Sequence, residues 1–246
     1  MALNAFNAEI ARIPDLVSEP ALGEIRLQWW RDALETLEEG GTTGNPIADV
    51  LGHAKRSHDI PTPLLLGIID ARSADLDGRG FADMSAMKAY LNKTQGAVFE
   101  TSARMLGASS AGLGKTANAA GVAYGLARRL QSLPHDAVSG RVMVPLSVLQ
   151  RHGLLPEELL AGQDSAALNE MTGELMEEAR AALAKARAGI EGRGKHVRTA
   201  FAPLALVEPA LRLLQKPRVR PLHDVVDINP LARFVRLWRA ARFGRI

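Results

Sequence analysis

Apolar residues recur at three- and four-residue spacing along almost the whole chain, and clean two-residue alternation is missing. The pattern predicts helices separated by recognisable stops. Glu19-Pro20 opens one well, because proline suits the first turn and an acidic residue complements the positive helix end; this helix runs to Gly40-Gly41. Further helices are predicted from Pro46 to about His58, from Pro63 to about Asp75, and from Asp83 to Leu106, where Gly107 closes the last. Another runs from Gly112 to about Leu133, and Pro134 is expected to stop it. Glu157 to Gly162 reads as one turn, and Asp164 to about Ile190 as a long helix ending at Glu191-Gly192-Arg193-Gly194. Lys195 to Gln215 continues as helix with kinks at Pro203 and Pro209. Pro217 to Pro230 reads as a loop with a short extended piece, and Leu231 to Phe243 as a final helix. No repeat or linker divides the chain, so the expectation is one all-α domain over residues 1–246, with roughly ten helices.

Composition agrees with this picture and narrows it. Aromatics make up only 4%, while alanine, leucine and arginine abound, which favours helix over sheet. The absence of cysteine excludes a disulfide framework, Cys-ligated zinc and iron–sulfur clusters, and it suits a cytoplasmic protein. No apolar run reaches the ~18 residues that a membrane-spanning helix needs. The opening MALNAFNAEIARIPD has no basic segment ahead of an apolar block, so it does not read as a secretory signal; it looks like the middle of a helix.

The net charge is only +3, but from Lys216 to Ile246 there are eight Lys or Arg against two Asp. That placement suits either a solvated basic tail or contact with an anionic surface. In the last helix, Leu231, Phe234, Leu237, Trp238 and Ala241 gather on one side and Arg233, Arg236 and Arg239 mainly on the other, with Arg242 near the boundary. Two outcomes fit: a terminal helix docked on the core, or an interfacial helix lying on a membrane surface through Leu231 to Phe243. No nucleic-acid contact is expected.

Most of the motifs that tempt a functional reading have bland ones. GASSAGLGKT lacks the glycine a phosphate loop needs at Ser109, and it follows a helix, so it reads as a turn. None of the six histidines forms a zinc-binding pair. Of the adjacent Trp29 and Trp30, one is expected in the core and the other against a neighbour. Asp70, Arg72 and Asp75 in LGIIDARSADL read, taken alone, as solvated charges at a helix end.

Four segments in order, EPALGEIRLQWWRDAL, IIDARSADL, YLNKTQGAV and GRVMVPLSVLQRHGL, resemble the squalene/phytoene synthase family. The resemblance covers almost the whole chain, with the family's first helix missing at the N-terminus. It implies an isoprenoid-synthase fold, an all-α bundle around a central cavity. In that family two helices face each other with aspartate-rich motifs that hold magnesium and the diphosphates of two prenyl substrates, and an apolar cavity shields the allylic cation. The first motif falls on AEIARIPD: Ala8 stands for its arginine, Ala11 and Arg12 for two aspartates, and Asp15 keeps the last. The second falls on RRLQSLPHDAVSGR: Arg128 stands for an asparagine, Gln131 for an arginine, Ser132 for the first aspartate and His135 for a glutamate, while Asp136 survives. Gly140-Arg141 and Pro145 match, and Tyr90 matches a cavity tyrosine.

Each helix thus keeps one of two key carboxylates, Asp15 and Asp136, as remnant metal ligands. Arg12 would place a fixed positive charge where metal sits in the family. The candidate substrate-binding residues are Asp15, Arg12, Tyr90, Arg128, Asp136 and Arg141, and no residue stands out as catalytic. The resemblance is to the branch with degenerate motifs that includes complex I assembly factor-like proteins. It implies a non-catalytic or altered member that binds an isoprenoid-like or anionic ligand, a membrane complex, or both. No cofactor is expected, and Mg2+ only under the alternative, an active head-to-head prenyltransferase of the phytoene or squalene type. The expected location is the cytoplasm or the inner face of a membrane.

Overall fold

The computed structural model describes residues 2–78, 80–244 and 246, and among these there is no strand. The N-terminal third is a layer of four helices: α1 (Ala2–Leu16), α2 (Pro20–Glu38), α3 (Pro46–Ser57) and α4 (Thr62–Leu76). Leu3, Phe6, Ile10 and Ile13 form one buried stripe on α1, and Leu27, Trp30, Leu34 and Leu37 another on α2, so the two helices share a core with α3 and α4. The tryptophan pair divides as the helix geometry requires. Trp30 is 6% exposed and meets Phe6 edge-on at 5.1 Å, whereas Trp29 is 42% exposed.

The rest of the chain builds a second core. The segment after α4 contains α5 (Met84–Leu91), a π-helical turn (Asn92–Gly96) and α6 (Ala97–Met105). α7 (Leu113–Val138) is the central helix, packed on that segment and on α10 (Ala166–Ile190). Two short helices, α8 (Leu146–Arg151) and α9 (Pro156–Leu160), lie between α7 and α10 in sequence. Small residues on α7 let its neighbours approach closely. A Cβ on Gly121 would lie 2.4 Å from the Gly96 backbone nitrogen, so glycine is required where α7 crosses the π turn. The wider π turn also matters for phase: Tyr90 and Gln95, five residues apart, both reach the same cleft.

Pro134 does not end α7, contrary to the sequence expectation. The stop is Gly140, at φ +69°, with Gly140 N–H donating to Ala137 and Arg141 N–H to the Asp136 carbonyl at 2.8 Å. That ending carries the helix past Asp136 and anchors Arg141 directly beyond it. The C-terminal region comprises α11 (Lys195–Thr199), a 3₁₀ turn (Ala202–Leu206), α12 (Val207–Leu214) and α13 (Pro230–Phe243). Pro203 falls in the 3₁₀ turn, but Pro209 sits in the first turn of α12 and is tolerated there. Between Pro217 and Pro230 no strand is formed, and residues 224–229 run without helix or turn.

Candidate functional site

Three helices end at one cleft, and each brings an aspartate to its last turn: Asp15 on α1, Asp75 on α4 and Asp136 on α7. A helix C-terminus carries partial negative charge, so carboxylates there repel both the helix ends and each other unless cations intervene. Arginines supply the cations. The cleft, of about 290 Å³, is lined by four arginines (Arg72, Arg128, Arg129, Arg141) against these three aspartates.

The inner part is a closed hydrogen-bond network. The Tyr90 hydroxyl donates to Asp75 Oδ2 at 2.7 Å and accepts from Arg72 at 2.8 Å and Arg129 at 2.9 Å. One donated and two accepted bonds use the full capacity of a phenol. Asp75 accepts further from Arg72 at 2.9 Å and Arg129 at 3.2 Å, and both guanidinium groups also lie over the Tyr90 ring. Arg72, Asp75 and Tyr90 are all buried. Burial pushes the Tyr90 hydroxyl up to about 12, so it is a neutral donor at neutral pH.

The outer part joins the other two aspartates. Asp136 is 4% exposed, and burial pushes its carboxyl above the usual range, against the opposing pull of Arg129, Ser132, Arg141 and His135. The Ser132 hydroxyl lies 3.0 Å from both the Asp136 carboxylate and the Arg129 carbonyl, and its one hydrogen serves one of them at a time. Arg129 stands 3.9 Å and Arg141 3.8 Å from Asp136. Arg141 also donates to Asp15 at 2.8 Å, so a guanidinium bridges the two motif aspartates.

Of the residues singled out from sequence, Asp15, Tyr90, Arg128, Asp136 and Arg141 line this cleft, together with Ala11 and Ser132. Arg12 does not. It is exposed and lines none of it, because the residue after Ala11 lies about 100° further round the helix. The guanidinium groups among the aspartates are those of Arg72, Arg129 and Arg141, not that of Arg12. The reading of Arg72 and Asp75 as solvated charges is likewise corrected, since packing of α4 against the π turn buries them; only Asp70 stays outside, paired with Arg31 at 2.8 Å.

A polar groove of about 560 Å³ continues outward past Asp15, His135 and Arg141. On the other side of Arg128 lies a second cavity of about 290 Å³, lined mainly by apolar groups including Tyr124, Leu206, Val207, Ile228 and Leu237. Arg128 borders both spaces and donates to Gln131 at 3.4 Å; its charge reaches Asp227 and helps to lower that carboxyl, but no carboxylate lies within 4 Å of it among the described residues.

The donor set does not fit a magnesium cluster. Magnesium takes near-octahedral oxygen ligands and binds through carboxylates plus substrate phosphates. Ala11 and Ser132 each remove one member of an i,i+4 carboxylate pair. The three carboxylates that remain each lie within 4 Å of a guanidinium: Asp15 at 2.8 Å, Asp75 at 2.9 Å and Asp136 at 3.8 Å. No group of three or more Asp, Glu or His side chains gathers with metal-binding geometry among the described residues.

Comparison with known proteins gives a consistent family signal. The sequence profile of the Squalene/phytoene synthase family matches residues 1–230. The mouse protein named NADH dehydrogenase (ubiquinone) complex I, assembly factor 6 is 26% identical over 242 residues, covering 97% of this chain and 73% of its own. A phytoene synthase from Mycobacterium tuberculosis is 23% identical over 174 residues, 71% of this chain and 56% of that enzyme. Among solved structures, a dehydrosqualene synthase in complex with ligand superposes with a TM-score of 0.84 at 17% identity, covering 99% of this chain and 85% of the other, which establishes the shared fold.

Proposed function

This chain belongs to the squalene/phytoene synthase family, and from that premise we propose that it is a binding protein, not a prenyltransferase. Its cleft takes an anionic, isoprenoid-like ligand without metal, and the protein serves the assembly of a respiratory complex. One observation carries the reading: every aspartate in the cleft is engaged by an arginine, with Ser132 and Ala11 where further carboxylates would be needed.

The chemistry points the same way. Head-to-head condensation passes through an allylic cation, and a cleft with four guanidinium groups against three carboxylates repels it. The same groups favour a phosphate, which arginine recognises with two parallel hydrogen bonds. The Nε–H groups of Arg72 and Arg141 are buried without a partner among the described residues, and a buried unmade donor costs about 1–3 kcal/mol. The apolar cavity across Arg128 offers room for part of a hydrocarbon chain. The name of the mouse relative supports the assembly role.

The test is turnover. Labelled farnesyl or geranylgeranyl diphosphate with magnesium should yield no condensed hydrocarbon or cyclopropyl diphosphate above background. Product that disappears on chelation would overturn the reading in favour of an active head-to-head enzyme.

A further inference from the structure

α13 carries Leu231, Phe234, Val235 and Trp238 at the i, i+3, i+4, i+7 spacing of a core-facing stripe, yet this stripe faces solvent. The four side chains are 70%, 65%, 41% and 53% exposed. The helix is held by a different and narrower seam: Ala240 is fully buried, and Arg233 and Leu237 are half-buried against the apolar cavity. The face expected from sequence was therefore partly right, since Leu237 belongs to the docked seam and Val235 to the open stripe.

The helix is formed before any partner arrives. The Asn229 side chain accepts from Leu231 and Ala232 N–H, Pro230 opens the first turn, and Gly244 at φ +66° closes the last with its N–H on the Ala240 carbonyl. Docking thus requires no coupled folding. Arg236, Arg239 and Arg242 are exposed beside the stripe and have no carboxylate partner among the described residues, whereas Arg233 is held by Asp227. No acidic residue occurs from Ile228 to Ile246. The helix itself therefore carries side-chain charge of one sign, with Asp227 pairing Arg233 at its docked edge.

We propose that α13 lies flat on an anionic lipid bilayer. Leu231, Phe234, Val235 and Trp238 enter the boundary between headgroups and acyl chains, and Arg236, Arg239 and Arg242 sit at the phosphates. Arg242 continues the line of the stripe one turn beyond Trp238, where its long stem snorkels to the headgroups. A second copy is a poorer occupant, because pairing two such stripes brings two sets of arginines together. This surface is separate from the cleft, so its assignment stands whatever ligand the cleft takes.

Flotation of the full chain with vesicles of phosphatidylcholine alone, and of equimolar phosphatidylcholine and phosphatidylglycerol, tests the assignment. Binding is expected only to the anionic vesicles, weakening as salt rises. Arg236→Gln/Arg239→Gln/Arg242→Gln should reduce partitioning about a hundredfold, at about fivefold per arginine. Phe234→Ser/Trp238→Ser should abolish binding with unchanged circular dichroism, since both side chains are exposed. No binding of the wild type to anionic vesicles, or equal binding by all three proteins, overturns the proposal. So does a wild-type dimer in sedimentation equilibrium that Phe234→Ser/Trp238→Ser dissociates, which would give the face to a second copy.

Discussion

Replacing Asp75 by Asn removes the carboxylate shared by Arg72, Arg129 and Tyr90. The Arg72 and Asp75 side chains are each 9% exposed, so water cannot take over the lost countercharge. Breaking a buried pair from one side costs about 3–5 kcal/mol, against ~0–1 for an exposed pair. Arg129 keeps 20% of its side chain accessible and still has Asp136 nearby, which argues for the lower end, about 3 kcal/mol. For a chain of this length each kcal/mol moves Tm by about 2–4 °C, so Asp75→Asn should melt ~6–12 °C lower. Urea unfolding followed by far-ultraviolet circular dichroism reads the same loss as a lower midpoint with an unchanged slope. Adding Arg72→Met should restore part of the stability, because one of the two stranded cations is then gone. Tyr90→Phe alone should cost about 1–3 kcal/mol and combine with Asp75→Asn less than additively. A loss below ~1 kcal/mol for Asp75→Asn would mean that the inner charges are solvated, and the argument from internal charge balance would fail.

Three further outcomes follow from the same geometry. Because burial raises the Asp136 carboxyl above its ordinary value, the folded state binds the proton more tightly than the unfolded one, and this group's contribution to stability falls as pH rises from the ordinary carboxylate range through the raised value. The Tm of the wild type relative to Asp136→Asn should therefore decline across that interval, and a flat difference would contradict the shift. Ala11→Asp with Ser132→Asp, on the cleft faces of α1 and α7, should create magnesium affinity measurable by titration calorimetry, whereas Arg12→Asp should not, because Arg12 lies outside the cleft. Gly121→Ala should destabilise by about 1–3 kcal/mol in urea melts, since the added methyl meets the Gly96 backbone, and a neutral result would place the crossing of α7 and the π turn in error.

The helices were legible because their periodicity and their Gly and Pro boundaries are local. The exceptions have tertiary causes. Pro134 looks like a stop, but the buried Leu133 and Pro134 are carried on the core face of α7, and the working stop is the Gly140 ending six residues on. The cleft was half legible. Family motif positions led to Asp15, Asp136, Arg141 and Tyr90, which do come together. Helical phase was the missing check on Arg12, since Ala11 and Asp15 share a face that Arg12 does not. Arg72, Asp75 and Arg129 escaped because Asp75 and Arg129 are 54 residues apart, and no local pattern reports that meeting. A weak signal existed in retrospect: Arg72 and Asp75 are three apart on a helix whose neighbours are leucine and isoleucine, a poor place for two unpaired charges.

Metal dependence of ligand binding tests the account at its centre. A non-cleavable farnesyl diphosphate analogue would be titrated into the protein by calorimetry, once with magnesium and once with a chelator, alongside Arg128→Gln. Arg128 is exposed, has no carboxylate within 4 Å among the described residues although Asp227 lies near enough to feel its charge, and borders both the polar cleft and the apolar cavity. The account predicts the same affinity with and without magnesium, and about tenfold or greater weakening in Arg128→Gln from the loss of a charge-assisted contact. Binding that requires magnesium and vanishes with the chelator would contradict it.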